Sequence, residues 1–240
     1  MITLVMPYYD NEAMLQRHLR EWVTYRDSDK MQLRVIIVDD ASPNKPAVNV
    51  LMNSQHVGFP IELFRVLTNI PWNQDGARNL AMQQCRTDWA LMTDMDHVLL
   101  RDQVRDLIEF AHVVAKPGSY YMLARRKADG QWHHPHPNTF LFKVSDFWSM
   151  GGYDEDFAGA YGSDGNFRRC ARGAGLTERH LHSVNLTLFG TEDIEDANTK
   201  DWGRKDSGYH RSNFPALEAK RRSPPYRAKD PVRFKWEKIL

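Results

Sequence analysis

The chain has 240 residues, of which 42% are hydrophobic, 11% aromatic and 26% charged, a composition that builds a full core and excludes a disordered chain, a short disulfide scaffold and a repeat array. Its 32 Lys and Arg against 31 Asp and Glu argue against an obligate nucleic-acid binder. The near-neutral total hides a division: residues 204–240 hold 11 bases against 4 acids, net +7, which leaves 21 bases against 27 acids, net −6, in the other 203 residues.

Residues 2–6 form a short apolar run that predicts a strand, with no basic stretch before it to suggest a secretion signal. Apolar residues at helical spacing (Met14, Leu15, Leu19, Trp22, Val23) predict a helix over 12–25. A second strand at 33–38 ends in Asp39-Asp40, a turn follows at 41–44, and a helix over 46–53 leads to a third strand at 61–67. A helix over 75–85 and a fourth strand at 89–93 complete the alternation. Strand, helix, strand, helix is the pattern of right-handed βαβ units, so the fold class is α/β, a Rossmann-like, mostly parallel central sheet flanked by helices.

Past a helix over 102–115 the pattern changes. Strands at 120–124 and 139–143 predict a small second sheet, separated by a polar loop with His133, His134 and His136. A loop rich in Gly and acids at 151–164 precedes a helix over 165–173. From residue 191 the chain is polar and interrupted by Pro224-Pro225, an extension expected to wrap the core. Cys85 and Cys170 lie in helical segments, which argues against a structural disulfide and for a reducing compartment. No apolar run approaches the roughly 18 residues of a bilayer crossing, so a cytoplasmic protein, or one peripheral to a membrane, is expected.

In parallel sheets ligands bind beyond the carboxyl ends of the strands. Polar clusters sit there: residues 7–10, Asp39-Asp40, and Asp94-Met95-Asp96. No glycine-rich phosphate loop follows the first strand, which disfavours a dinucleotide fold or a P-loop enzyme. Two carboxylates leaving one strand end suit a hard cation that also binds phosphates, Mg²⁺ or Mn²⁺, although Asp pairs also serve as turn formers and helix caps.

Five blocks together sharpen this reading: residues 5–12 (Val-Met-Pro-Tyr-Tyr-Asp-Asn-Glu), 35–42 (Val-Ile-Ile-Val-Asp-Asp-Ala-Ser), 72–79 (Trp-Asn-Gln-Asp-Gly-Ala-Arg-Asn), 93–96 (Thr-Asp-Met-Asp), and 151–157 with 161–164. In this order, over roughly residues 2–175, the chain resembles a nucleotide-sugar glycosyltransferase of the GT-A fold, family-2-like. The resemblance implies a metal-dependent, inverting transfer from a nucleotide-diphosphate sugar, UDP-sugars foremost, to an acceptor hydroxyl. It divides residues 1–190 into a donor-binding half (1–100) and an acceptor-binding half (101–190), with 191–240 as the basic extension packed on the same domain. Pro7, Tyr9, Asp39 and Asp40 would hold the base and ribose, and Trp72, Asp75, Arg78 and Asp94 would line the rest of the donor pocket. Asp94 and Asp96 would hold Mn²⁺ or Mg²⁺, with a third ligand from a late histidine: His182 or His210 ahead of His180. Asp164 matches the general base, but Ser163 stands where the family commonly has Glu, so one acid remains where two are usual. Asp164 could equally cap its helix, and Asp154, Glu155 and Asp156 read as acceptor-side or structural.

The triple histidine at 133–136 lacks the spacing of a structural zinc site, since Pro135 breaks any helix and no Cys is near, and it reads as a loop at the acceptor entrance. The basic extension could cover the donor diphosphate or attract an anionic acceptor: a glycan, a lipid-linked sugar, a protein or a nucleic acid. Two other readings compete. Residues 91–98 resemble the nucleophile strand of haloacid-dehalogenase-like phosphohydrolases, which would use Asp94 and Asp96. A catalytically silent module binding nucleotide-sugar or polyanion would keep the fold without the chemistry.

Overall fold

The computed structural model describes residues 1–159, 162–197, 209–222 and 231–240. Four strands, β1 (Ile2–Tyr8), β2 (Leu33–Asp39), β3 (Ile61–Val66) and β4 (Trp89–Met92), run parallel in the order β3-β2-β1-β4. Their residues alternate between two apolar cores, Leu4, Val35 and Ile37 facing one and Val5, Ile36 and Val38 the other. Both faces are buried, which is why these strands read as continuous apolar runs. Pro7 lies where β1 has outrun its partner β4, whose pairing ends at Val5 with Met92, so its missing N–H removes no ladder bond.

Helices α1 (Glu12–Val23), α2 (Asp27–Lys30), α3 (Ala47–Met52) and α4 (Gln74–Gln84) connect these strands. α1 and α3 cover the first core and α4 the second. Beyond β4, the chain forms β5 (His97–Val98), α5 (Arg101–Glu109), β6 (Ser119–Lys127), β7 (Trp132–His133), β8 (Phe140–Lys143), α6 (Val144–Ser149) and α7 (Ser163–Gly173). The helix expected over 102–115 is α only as far as Glu109, and Phe110–Val114 continue as a wider turn closed by Ala115 N–H to the Phe110 carbonyl at 2.8 Å.

Two further strands, β9 (Thr177–Leu188) and β10 (Trp236–Lys238), bring the sheet to the order β10-β3-β2-β1-β4-β8-β6-β9-β5, with β7 paired to β6. β8 enters antiparallel between β4 and β6, so the acceptor-side strands continue the central sheet. β9 runs parallel to β6, and its register jumps between Leu123 opposite Leu181 and Ala124 opposite Asn185. That bulge breaks the period of two and hides a twelve-residue strand from sequence reading.

The extension from 191 onward is tied to the body at several points. Asp196 accepts the backbone N–H groups of Ala13 (2.7 Å) and Met14 (3.0 Å), satisfying the open end of α1. A last helix, α8 (Tyr209–Arg222), buries Leu217 against Phe157. β10 pairs antiparallel with β3 and sets Trp236 edge-on to Phe64, covering what would be an open sheet edge.

Candidate active site

Three loops meet at the carboxyl ends of β1, β2 and β3. Asp10 accepts from the backbone N–H of Asn44 (3.2 Å) and Lys45 (2.7 Å), and Tyr8 accepts from Asp40 N–H at 2.9 Å. Asp39, 1% exposed, spends one oxygen on Ser42 N–H (2.7 Å) and the other on Ala47 N–H (2.9 Å). Burial raises its carboxyl pKa, and these bonds offset part of the rise. Asp39 therefore organises the β2–α3 loop. Asp40 is buried and accepts from the Asn73 amide at 3.2 Å, while the Tyr9 hydroxyl accepts from Asn69 at 3.3 Å. Asp10, Ala41 and Trp72, one in each loop, hold positive φ angles of 53°, 59° and 47°. For Ala41 and Trp72 this costs about 1–2 kcal/mol each, and such strain gathers where loop shape matters.

α4 delivers the next layer. Asp75, Arg78 and Asn79 fall on its buried side, at the spacing of one helical turn. Arg78 is fully buried: Nη2 bonds the Oδ1 of Asp94, Nη1 stands 3.7 Å from Asp75 Oδ1, and the guanidinium lies 5.4 Å over the Tyr153 ring. Its Nε and Nη1 have no hydrogen-bond partner among the described residues. Burial pushes the Asp75 carboxyl up to about 7, against the pull of Arg78 and of the Ser163 hydroxyl, which donates to it at 3.1 Å. Asn79 donates to the Tyr153 carbonyl and to Glu155 Oε1, both at 2.9 Å, and accepts from Tyr153 N–H at 2.8 Å. The acidic loop at 152–157 thus hangs from α4.

The Asp-Met-Asp turn after β4 is held at each residue. Asp94 Oδ1 accepts from Arg78 and from Gln74 (2.8 Å), the His18 ring bonds the Met95 carbonyl at 2.8 Å, and His97 Nδ1 meets Asp96 Oδ1 at 2.6 Å. Arg125 Nη1 lies 3.0 Å from His97 Nε2. Guanidinium can only donate, so His97 accepts at Nε2 and gives its Nδ1 proton to Asp96. Burial would raise the Asp96 carboxyl, but His97, His136 and Arg125 hold it below the ordinary carboxylate range. Each aspartate therefore keeps one oxygen bound and leaves the other without a hydrogen bond among the described residues.

His136 stands with its Nε2 3.7 Å from Asp94 Oδ2, its ring 4.7 Å from that of His97 and its Nδ1 3.2 Å from the Thr139 hydroxyl. Burial depresses its pKa to about 4 despite Asp94. Arg125 also grips the same loop through the His134 carbonyl at 2.6 Å. The loop read as an acceptor entrance thus lies on the carboxylate pair. His182 lies elsewhere: it is exposed on β9 and stacked on His180 at 5.9 Å. The part of β9 that reaches the turn is six residues further on, where Leu188 pairs with His97 and Phe189 N–H bonds the Asp96 carbonyl. The structure does not bring His180 or His182 to the pair, and the His210 side chain lies outside the described residues. Among the described residues, no three His, Cys, Asp or Glu side chains stand gathered around one point as a finished metal site.

Gly162, with φ of 92°, takes the N-cap position of α7, so Asp164 sits in the first helical turn without serving as the cap. No hydrogen bond or ion pair engages it among the described residues, and its charge is felt by Asp75 and Tyr153. The neighbouring Ser163, in place of a second acid, ties this turn to Asp75. Beside it, Asp154, Glu155 and Asp156 meet the basic extension: Lys220 bonds Asp156 and lies 3.4 Å from Asp154, and Arg233 reaches Asp156 at 2.7 Å. Glu155 accepts from the backbone N–H of Val232 (2.5 Å) and Arg233 (3.0 Å), and Lys238 pairs with Glu62 at 2.8 Å. These cations are engaged by the chain's own acids; the extension's Arg204, Lys205, Arg211, Arg221, Arg227 and Lys229 lie outside the described side chains.

Comparison with known proteins agrees with this fold. No curated protein matches the chain in sequence. In structure it is similar to S. aureus TarS 1-349 in complex with UDP-GlcNAc, at 13% identity and a TM-score of 0.64, covering 82% of this chain and 61% of that one. It is also similar to the mannosyltransferase PcManGT from Pyrobaculum calidifontis in complex with GDP-Man and Mn²⁺, at 16% identity and a TM-score of 0.62, covering 91% and 64%. A third is GalNAc-T7 with UDP, GalNAc and Mn²⁺, at 10% identity and a TM-score of 0.62, covering 94% and 52%. The chain thus spans between 52% and 64% of the length of these three proteins, and at such identities the likeness carries the fold, GT-A, alone. Residues 3–171, which include the aspartate pair, the α4 block and Asp164, match the family described as Glycosyl transferase family 2. That match spans well over half the chain, and the chain belongs to glycosyl transferase family 2.

Proposed function

We propose that this protein transfers a sugar from a nucleoside-diphosphate sugar, UDP-sugars foremost, to an acceptor hydroxyl with inversion at the anomeric carbon. The observation that carries this reading is the join between α4 and its neighbours: Arg78 binds Asp94 while Asp75 binds Ser163, next to Asp164, whose carboxylate makes no hydrogen bond among the described residues. One helix thereby sets the donor-side carboxylates against the acceptor-side one. Pro7, Tyr9, Asp40 and Trp72 line the loops that would receive the nucleotide, with Asp39 shaping them from below.

Asp94 and Asp96 fit a divalent cation, because each carboxylate is oriented through one oxygen and open at the other. An all-oxygen pair beside an imidazole suits Mn²⁺ or Mg²⁺. Such an ion, when bound, supplies Lewis-acid stabilisation to the departing diphosphate. Asp164 takes the proton of the acceptor hydroxyl as its oxygen attacks, a role that needs an unengaged carboxylate within hydrogen-bond reach. Arg78 fixes the rotamer of Asp94, and the loop hung from Asn79 fixes where α7 begins.

A phosphohydrolase reading has less support: its nucleophile would be Asp94, whose Oδ1 is already engaged by Arg78 and Gln74, on a strand preceded by three others. A silent binding module would leave Asp164 without a task. NMR assignment of the first anomer released during slow donor hydrolysis separates these readings. The proposal expects inversion, abolished by Asp164→Asn; retention, or hydrolysis undiminished in Asp164→Asn, overturns it. Among the described residues no helix is long and apolar enough to cross a membrane.

A further inference from the structure

Two histidines flank the aspartate pair, and their partners assign them opposite work. His97 is consumed: Arg125 donates to its Nε2 at 3.0 Å, and its Nδ1 proton goes to Asp96 Oδ1 at 2.6 Å. It has no lone pair left for an ion. His136 is arranged the other way round. Its Nδ1 faces the Thr139 hydroxyl at 3.2 Å, and Thr139 N–H returns to the His136 carbonyl at 3.3 Å, so the ring is held from behind. Its Nε2 points at Asp94 Oδ2, the open oxygen, across 3.7 Å. That separation is too long for a hydrogen bond, and neighbouring ligands about 2.1 Å from an octahedral ion stand about 3 Å apart, so the two atoms need only close by under about 1 Å to share one. The hydroxyl behind Nδ1 is the kind of outer partner that fixes ring orientation and leaves Nε2 to the metal.

We infer that His136 Nε2 is the third protein ligand of the divalent cation held by Asp94 and Asp96, with His97 and Thr139 as positioning residues behind Asp96 and His136. This rests on the metal-dependent reading above and puts His136 ahead of His180 and His182 as the source of the nitrogen ligand. Three features support it independently of activity: the ring is half-buried beside the pair, Pro135 and Arg125 pin its loop, and His180 and His182 are exposed on another part of the sheet. Among the described residues Asp94, Asp96 and His136 are not gathered around one point, so the inference requires them to be drawn together when the ion binds.

The test is Mn²⁺ binding to the full chain in the presence of UDP, followed by the electron paramagnetic resonance signal of free Mn²⁺ and by the electron spin-echo modulation that an imidazole nitrogen imposes on bound Mn²⁺. In the wild type, nitrogen modulation is expected. In His136→Ala and His136→Gln, the modulation disappears and affinity falls by at least about tenfold, the Gln variant guarding against a packing defect and both checked by their urea midpoints. In Thr139→Val, affinity falls by about tenfold with the modulation retained, as for an outer-shell partner. Modulation that survives in both His136 variants, or Mn²⁺ affinity equal to wild type, overturns the inference while leaving the metal-dependent reading intact. Wild-type protein that binds no Mn²⁺ with UDP, or binding unchanged in Asp94→Asn and Asp96→Asn, overturns both.

Discussion

Arg78→Met removes the one cation buried between Asp75 and Asp94 while keeping an apolar side chain of similar length against Tyr153. Breaking a buried pair from one side costs about 3–5 kcal/mol, because the surviving charge is left uncompensated. The lower end applies here for two reasons. Arg78 already carries two buried nitrogens without hydrogen bonds, so its own desolvation is relieved on removal, and Asp75 can escape by taking a proton. About 3 kcal/mol at roughly 2–4 °C per kcal/mol for a chain of this size predicts a fall in Tm of about 6–12 °C at pH 8. The pH dependence has a definite sign. The Asp75 pKa of about 7 is already above its unfolded value, and loss of Arg78 raises it further, so the folded variant binds more protons than the unfolded chain and loses stability as pH rises through that window. The gap to wild type is therefore larger at pH 8 than at pH 5, and Asp75→Asn added to Arg78→Met narrows it at pH 8. Urea unfolding at both pH values measures this. A variant within about 0.5 kcal/mol of wild type at pH 8, the scatter of a neutral substitution, or a gap that is the same at both, refutes the reasoning.

Asp75→Asn alone keeps an acceptor for Ser163 and removes the raised carboxyl. Its stability relative to wild type should improve from pH 5 to pH 8 by about 3 kcal/mol, the worth of the roughly two pH units between pH 5 and the folded pKa of about 7, and a pH-independent difference by urea titration counts against burial as the cause. Asn79→Ala strands the Tyr153 N–H and one bond to Glu155, at about 1–3 kcal/mol for each buried group left unpaired; denaturant midpoints should drop accordingly, and donor hydrolysis should fall with them. Lys220→Gln with Arg233→Gln breaks partly exposed pairs to Asp154 and Asp156, worth under about 1 kcal/mol each. Thermal melts should show a small loss that fades in about 0.5 M salt, and a salt-independent loss would point to packing of the extension instead.

The four parallel strands and their helices were legible in the sequence because their signals are local: apolar runs of strand length, helical spacing of Met14, Leu15, Leu19 and Trp22, and polar residues at strand ends. The same holds for Asp94, Asp96, Asp75 and Arg78, which lie within short blocks. What escaped depends on distant partners or broken periodicity. β9 is polar on one face, and the bulge opposite Leu123 shifts its apolar residues from even to odd spacing. β10 has three residues and gains its place from the free edge of β3. Asp39 also accepts the backbone N–H groups of Ser42 and Ala47, a loop-shaping role invisible until the loop is folded. His136 gains its meaning from the hairpin that carries it back over β4, so three imidazoles in four residues were a visible cluster without a visible target. His180 and His182 stand away from the pair because β9 presents His182 six residues before the strand reaches the aspartate turn, and the His210 side chain lies outside the described residues.

Nucleotide binding at the aspartate pair tests the account most directly. A thermal-shift titration of UDP, GDP and their sugars with Mn²⁺ or Mg²⁺ should raise the wild-type midpoint: at ligand concentrations about 100 times Kd the stabilisation is about 2.7 kcal/mol, or roughly 5–11 °C for a chain of this size. Asp94→Asn and Asp96→Asn should remain folded and lose most of that shift. A midpoint indifferent to every nucleotide with either metal, or one raised equally in both variants, contradicts the assignment of this site.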